Sequence, residues 1–354
     1  MSVLDDPSAY QRIDISSTRT IIRDLPRQCR VAWREGQAFD LPPDYRDVDK
    51  VVILGTGALV IAGDLLRSLA ALESPVPILV HRDYGLPLVV DERTLVIAMS
   101  YSGDTEETLS AFESALATNA KKLAFTTGGK LLTMARANGV PAFIFGYKST
   151  ARGALGYGLM SLLAIAEKIG IVGSKADDVE EAEILMEHMA DRIGEHVPLK
   201  RNPAKDVAVR LQGHLPVVYG AGLLAEVAHR WKTQFNENSK LWSFWEELPE
   251  ANHNAIVGFR LPKEIAADAL VIFLRGPALH PRIRLRYEFT RQALDEAGVA
   301  TETVDAEGKS PLAQVLSTVF FGDYVSLYLA ILAGVDPSPT APVADLKRWL
   351  ADQP

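Results

Sequence analysis

The same succession of an apolar strand, a glycine turn and a helix occurs twice in this sequence. VVYGAGLL at residues 217–224 repeats the pattern of VILGTGAL at residues 52–59, and the apolar run at 270–274 repeats the run at 95–99. Apolar runs that alternate with helical patterns are typical of parallel strands covered on both faces by helices. The repeat therefore predicts an internal duplication, with two doubly wound, flavodoxin-like α/β units in one chain.

The length of 354 residues exceeds that of one typical hydrophobic core and favours two domains. We expect an N-terminal helical segment, a first domain, a polar and partly helical connector, and a second domain with C-terminal helices, at 1–36, 37–172, 173–202 and 203–354. Strands are predicted at 51–54, 76–80, 95–99, 122–126, 142–145, 270–274 and 301–304, and a further strand at the start of 217–224, before its glycine turn. A long apolar helix at 311–332 and a terminal helix at 343–350 complete the second domain.

Hydroxyl side chains occupy the junction between the predicted strand at 95–99 and the helix that follows it. Ser100, Ser102 and Thr105 surround Gly103, which permits a close backbone approach. Unpaired N–H groups and the helix dipole stabilise an anion at a helix start, and hydroxyls add donors for phosphate oxygens. Ordinary helix capping without a ligand is the alternative, and the residues alone leave both open. The counterpart loop at 275–280 has no hydroxyl side chain, so one phosphate site per chain is expected.

Several classes of protein are disfavoured by composition and motif. The turn at 55–57 lacks the third glycine of a dinucleotide-binding fingerprint, since Val60 stands in its place. A net charge of −8 argues against nucleic acid or an anionic membrane as a partner, and we expect no apolar run to approach the length that spans a bilayer. One cysteine, Cys29, excludes an intrachain disulfide and a cysteine-rich metal site, and it favours a cytoplasmic location.

A glutamate and a histidine in the second half are candidates for proton transfer. Glu237 falls at the C-terminal end of a helix, and His253 stands between two asparagines in a predicted loop. A carboxylate and an imidazole are the side chains best suited to moving protons near neutral pH. The alternatives are a solvated helix end and a loop residue that caps the backbone. Glu226 and His229 have the spacing of half a helical metal motif, but no second such pair occurs, so no metal is expected.

Several motifs, in this order, resemble those of the bifunctional phosphoglucose/phosphomannose isomerases of the sugar-isomerase (SIS) superfamily. They are GTG at 55–57, SYSGDTEET at 100–108, RGALG at 152–156, NEN at 236–238, LPEANHN at 248–254, DP at 336–337 and LK at 346–347. The resemblance covers about residues 37–350 and implies two SIS domains with the active site between them, near the interface of a homodimer. It also implies interconversion of glucose 6-phosphate, and of mannose 6-phosphate, with fructose 6-phosphate through a cis-enediol intermediate, with no cofactor.

The resemblance assigns a role to each candidate residue. Glu237 is the base that moves a proton between C1 and C2, and His253, supplied by the same or by the partner subunit, opens the sugar ring. Arg152 stabilises the enediolate, as a fixed cation beside developing negative charge should. Lys347 also lies in the site, and Thr340 matches the threonine that accepts the mannose epimer.

The resemblance also assigns binding of the sugar phosphate to Ser100, Ser102 and Thr105, together with Gly57 and Ala58 of the first glycine turn. The first loop departs from the family pattern Gly-x-Gly-Gly-Ser, because Ala58 and Leu59 occupy its last two positions. One hydroxyl is therefore missing, and a hydrogen bond to a charged group contributes about 1.5–3 kcal/mol. Two alternatives follow from this departure: a sugar-phosphate sensor without catalysis, and an isomerase of another phosphosugar whose pocket Leu59 reshapes.

Overall fold

The computed structural model describes residues 2–353, and its first sheet is fully parallel. Its strand order is β2-β1-β3-β4-β5, the order of a flavodoxin-like doubly wound sheet. Ile53 pairs with Val80 on one side and with Ile97 on the other. The strands are β1 Lys50–Leu54, β2 Ile78–His81, β3 Thr94–Ser100, β4 Lys121–Thr126 and β5 Ala142–Ile144.

The second sheet repeats this topology with one strand fewer. Its order is β7-β6-β8-β9, again fully parallel, and Val218 pairs with Trp245 and Ile272. The strands are β6 Leu215–Ala221, β7 Phe244–Leu248, β8 Ala269–Arg275 and β9 Ala300–Asp305. The predicted duplication and the α/β fold class are therefore confirmed.

Helices cover both faces of the two sheets. Their bounds are α1 Pro7–Ile13, α2 Thr18–Arg23, α3 Leu25–Ala38, α4 Ile61–Ala70, α5 Glu106–Leu116, α6 Gly129–Ala137, α7 Leu155–Lys168, α8 Ala176–Ile193, α9 Pro203–Leu211, α10 Ala225–Glu237, α11 Ala255–Gly258, α12 Lys263–Asp268, α13 Pro281–Glu296, α14 Pro311–Ala333 and α15 Ala341–Ala351. The connector between the sheets is thus largely helical, as its charged but periodic sequence predicts.

One hydrophobic core joins the two halves. Val51 and Ile53 point into it from β1, while Val52 and Leu54 point to the opposite face and pack with α5. Apolar side chains of α3, α7, α8 and α14 belong to the same cluster as those of both sheets. This shared packing positions the ends of the two sheets relative to each other.

The helix α14 corrects one expectation of the sequence analysis. By length and composition it could cross a membrane, since it has 23 residues and its most apolar window has a mean hydropathy of 1.7. However, 89% of that window is buried inside the protein. It packs against α8, α9 and α10, so its apolar character reflects its place in the core.

Most predicted elements are present, with shifts of a few residues at their ends. One strand, β7, was not predicted, because Glu246 and Glu247 interrupt its apolar pattern. It lies at the edge of its sheet, where half-buried positions tolerate charge. The N-terminal helical segment is divided into α1, α2 and α3, with Asp14 and Asp24 at the two breaks.

Candidate active site

The hydroxyl loop, residues 100–105, begins where β3 ends and leads directly into α5. Ser100 Oγ lies 2.8 Å from Thr105 Oγ1, and the Gly103 N–H donates to Ser100 Oγ at 3.1 Å. Thr105 is the N-cap residue of α5, yet its side chain makes no capping hydrogen bond within residues 2–353. The start of α5 therefore keeps N–H groups for an anion, as the phosphate interpretation requires.

Gly103 is required in the hydroxyl loop for two reasons. Its φ of 75° lies in the left-handed region that favours glycine. A Cβ atom there would lie 1.9 Å from the carbonyl oxygen of Gly128 in the loop after β4. The sequence predicts a close backbone approach at Gly103, and in the structure the backbone that approaches it is the loop after β4. Asp104 of the hydroxyl loop also contacts the start of α6, because its carboxylate accepts a hydrogen bond from the Lys130 N–H at 3.0 Å.

The first glycine turn lies beside the hydroxyl loop, since β1 pairs with β3. Gly57 has a φ of 81°, and a Cβ atom built on it would meet nothing within 4 Å. Leu59 is buried in the core, where its Cδ1 would lie 2.9 Å from a Cβ atom built on Gly158 of α7. Because the Leu59 side chain packs into the core, the structure does not support the alternative in which it reshapes the pocket for another phosphosugar.

Tyr101 connects the hydroxyl loop to the segment that carries Arg152. Its hydroxyl donates to the carbonyl oxygen of Tyr147 at 2.8 Å and accepts the Ser149 N–H at 2.6 Å. Arg152 follows three residues later, at the start of a short 3-10 turn, Arg152–Ala154. The predicted phosphate-binding residues and the predicted enediolate cation are therefore held in one local network.

The side chain of Arg152 is buried and joins the two halves of the molecule. Its Nη1 lies 3.1 Å from Glu237 Oε2, and its Nε donates to Asn238 Oδ1 at 2.7 Å. Its Nη2 donates to the carbonyl oxygens of Pro337 and Ser338, each at 2.7 Å. Burial lowers the pKa of Arg152 and the Glu237 carboxylate opposes that shift, but an arginine remains charged at neutral pH.

Glu237 is the last residue of α10, as predicted, and it is half-buried. The apolar side of α10 carries Val227, Trp231 and Phe235 into the core, which fixes the direction in which the helix end points. Asn238, the next residue, donates to Ser326 Oγ on α14 at 3.0 Å. The structure thus places the predicted base and the predicted cation in direct contact, on elements from different halves of the chain.

A buried carboxylate behind Arg152 was not predicted. Asp323 on α14 accepts hydrogen bonds from Arg230 Nη2 and Gln234 Nε2, both at 2.8 Å. Arg230 Nη2 also donates to the carbonyl oxygen of Arg152 at 3.1 Å. Burial raises the pKa of Asp323, and Arg230 opposes that shift. The available signal was that Asp323 is the one charged residue in the sequence of α14.

Neither His253 nor Lys347 makes a hydrogen bond or an ion pair with Arg152 or Glu237 among residues 2–353. His253 ends a short 3-10 turn, Glu250–His253, after β7, and its side chain is exposed. Lys347 lies on α15, where no residue is fully buried. Within the part of the chain that the structure describes, neither side chain makes a hydrogen bond or an ion pair. The hydrogen-bonded network that the structure describes thus includes Arg152 and Glu237 but neither His253 nor Lys347.

The spacing Glu226-x-x-His229 forms part of a charged cluster between α4 and α10. Asp64 completes a group of three potential ligands, whose ligand atoms lie within 4.8 Å of one another. The structure pairs each carboxylate with an arginine instead, Asp64 with Arg82 and Glu226 with Arg67. His229 Nδ1 lies 3.2 Å from Glu226 Oε2. These pairs neutralise the negative charge that would attract a cation.

Comparison with known proteins identifies the family of the chain. Residues 200–350 match the family described as the bacterial phospho-glucose isomerase C-terminal SIS domain. A bifunctional phosphoglucose/phosphomannose isomerase from Caldicellulosiruptor bescii is 38% identical over 332 residues, which cover 94% of this chain and 98% of the relative. The chain belongs to the bifunctional phosphoglucose/phosphomannose isomerase family. The resemblance predicted from the motifs is confirmed, and the protein is a phosphosugar isomerase.

Other relatives agree with this assignment to the isomerase family. The bifunctional phosphoglucose/phosphomannose isomerase from Aquifex aeolicus is 33% identical over 312 residues, covering 88% of this chain and 93% of the relative. Among solved structures, a hypothetical protein from Thermus thermophilus aligns with a TM-score of 0.71 and 20% identity over 95% of this chain and 91% of that chain. At that identity the structural likeness supports the fold alone.

Proposed function

We propose that this isomerase interconverts glucose 6-phosphate and mannose 6-phosphate with fructose 6-phosphate. The observation that carries the proposal is the contact at 3.1 Å between the buried Arg152 guanidinium and the Glu237 carboxylate. That contact places a base and a cation side by side, at the end of a network that begins in the hydroxyl loop. Its constituents match what aldose–ketose isomerisation needs: a phosphate anchor, a proton carrier and a cation.

In this mechanism the hydroxyl loop and the start of α5 bind the phosphate through Ser100, Ser102 and Thr105, with Gly57 and Ala58 beside them. The phosphate lies at C6, remote from the reacting carbons C1 and C2. The phosphate itself therefore takes no part in the reaction, and its binding energy serves to position C1 and C2.

The proton transfer itself uses Glu237 and Arg152. The proton on C2 of the open-chain aldose passes to the Glu237 carboxylate, and the electron pair of the C–H bond forms the C1–C2 double bond. Negative charge then develops on the oxygen of C1, where the Arg152 cation stabilises the cis-enediolate. Glu237 returns the proton to C1, and the proton on the oxygen of C2 moves to the oxygen of C1, which completes the ketose.

We further propose that the site is completed in a homodimer. His253, which opens the sugar ring, and Lys347 are both exposed in the single chain. A mixing experiment tests whether His253 acts on the site of the partner subunit. The variants Glu237→Gln and His253→Ala, each expected to be inactive alone, are mixed so that hybrid dimers form. A hybrid dimer regains one intact site only if Glu237 and His253 of one site come from different subunits. Recovery of activity on mixing supports that arrangement, and no recovery despite subunit exchange contradicts it.

We also place Thr340, which accepts the mannose epimer, in the same site, and we infer a cytoplasmic location from the single cysteine. The domain boundaries proposed are 37–172 and 203–354, with the helical segment 1–36 and the connector 173–202 outside them. In the structure each sheet lies within one of these two domains.

The experiment for the reaction is turnover of glucose 6-phosphate and mannose 6-phosphate by metal-free protein, with fructose 6-phosphate detected. Glu237→Gln should lose about 100-fold to 10,000-fold in turnover, the range for a general base. Glu296→Gln is the matched control, because Glu296 ends α13 as Glu237 ends α10. Turnover of neither sugar by the wild-type protein would refute the proposed substrates, and full activity of Glu237→Gln would refute the proposed base.

A further inference from the structure

Lys240 lies just after α10, and although the residue is exposed to solvent, its side chain makes several hydrogen bonds within the protein. Its Nζ donates to the carbonyl oxygen of Pro339 at 2.7 Å and to that of Pro337 at 3.2 Å. It also donates to the carbonyl oxygen of Glu237 itself. One ammonium group therefore connects the end of the helix that carries the proposed base to the segment that precedes Thr340.

The segment 336–340, here named the carbonyl loop, is held from two sides. Arg152 binds the carbonyl oxygens of Pro337 and Ser338, and Lys240 binds those of Pro337 and Pro339. Three consecutive carbonyl groups thus face two cations. Pro337 and Pro339 have no N–H to donate and a fixed φ. The loop is therefore anchored mainly through its carbonyl groups, and Thr340 directly follows the last of them.

The backbone of Lys240 lies where the chain leaves α10, and the next residue, Leu241, donates its N–H to the Phe235 carbonyl oxygen at 3.1 Å. The φ of Lys240, 58°, lies in the left-handed region, which residues with a side chain seldom adopt. The charged groups that face its amine are Arg152, Asp336 and Glu237, and partial loss of hydration around the amine is the main cause that lowers the pKa of Lys240. Left-handed residues are common where a helix ends, and here the conformation sets the point from which the Lys240 side chain reaches the carbonyl loop.

We propose that Lys240 is a positioning residue that sets the selectivity between the glucose and mannose epimers by fixing Thr340 relative to Glu237; this rests on the proposed function. The two epimers differ only at C2, the carbon whose proton Glu237 removes. A displacement of Thr340 relative to that carbon therefore affects the two sugars unequally. A general loss of folding would affect both equally.

The test measures kcat/KM for both sugars in Lys240→Met and Lys240→Gly, beside the wild-type protein. Lys240→Met removes the donors and keeps most of the side-chain volume, whereas Lys240→Gly also relieves the left-handed backbone. Loss of hydrogen bonds to a charged group should change the ratio of the two kcat/KM values by about tenfold in both variants. Lys232→Met on α10 is the matched control, since Lys232 makes no hydrogen bond or ion pair among residues 2–353, and it should leave the ratio unchanged.

Hydrogen exchange supplies a readout that does not depend on turnover. Peptides that cover 335–341 should exchange faster in Lys240→Met than in Lys232→Met. An unchanged epimer ratio in both Lys240 variants, with active wild-type protein, would overturn the proposal and leave the proposed function intact. Turnover of neither sugar by the wild-type protein would overturn both.

Discussion

The two halves of this protein share a topology but differ in chemistry at equivalent places. In the first half, β3 ends in Ser100 and the hydroxyl loop leads into α5. In the second half, the equivalent strand β8 ends in Arg275, whose guanidinium pairs with Asp305 at 2.6 Å and 2.8 Å. The second half instead contributes Glu237, from the end of α10. Duplication of the fold therefore preserved the scaffold, and the functional groups were placed separately in each copy.

The volume of a cavity does not indicate where the predicted site residues lie. A cleft of about 810 Å³ lies in the second half between α13 and β9, lined by residues such as Arg284, Tyr287 and Thr303. It contains none of the predicted site residues. By contrast, a cavity of about 20 Å³ lies at Arg152, Asn238 and Asp323. The convergence of polar groups from both halves locates the proposed site better than volume does.

After Glu237→Gln, the largest effect among the variants is expected at Arg152, which links the two halves. Arg152→Lys keeps a positive charge but loses the planar fork that binds Glu237, Asn238 and the carbonyl loop together. We expect kcat to fall by about 100-fold, the effect of removing one stabilising donor from a reacting oxyanion. Steady-state kinetics on fructose 6-phosphate measures it. A kcat close to that of the wild-type protein would contradict the role of Arg152.

A smaller effect, on KM, is expected from a change in the hydroxyl loop. Comparison with a change in the counterpart loop tests directly whether only the first half binds the phosphate. Ser102→Ala should raise KM by about tenfold, because one hydrogen bond to a charged phosphate is lost. Arg275→Gln changes the counterpart loop in the second half and should leave KM unchanged, since an exposed ion pair contributes little. Equal increases in KM for the two variants would contradict a single phosphate site in the first half.

The smallest effect on catalysis is expected from Leu59→Ser, which restores the family hydroxyl. Because Leu59 packs in the core, the substitution should lower the free energy of unfolding by about 2–5 kcal/mol. KM should change less than in Ser102→Ala. Chemical denaturation and kinetics at a temperature where the variant is folded measure both quantities. A decrease in KM larger than the increase in Ser102→Ala would show that position 59 reaches the phosphate.

Local patterns in the sequence predicted the scaffold and much of the proposed site. The alternation of apolar strands and helices predicted the two sheets. The hydroxyl residues after β3 could be predicted to lie together, because they are neighbours in the sequence at the junction of one strand and one helix. The contacts of Arg152 with Asn238 and Pro337 could not be predicted, since these residues are far apart in the chain and meet only through tertiary packing. The same holds for Asp323 and for the carbonyl contacts of Lys240.

The central claim is that the first half binds the phosphate while Glu237, from the second half, moves the proton. The most direct measurement is solvent deuterium incorporation at C1 of fructose 6-phosphate and C2 of the aldose, followed by NMR at saturating sugar. We predict incorporation by the wild-type protein and by Ser102→Ala, and a rate at least about 100-fold lower in Glu237→Gln. Undiminished incorporation by Glu237→Gln would contradict the account.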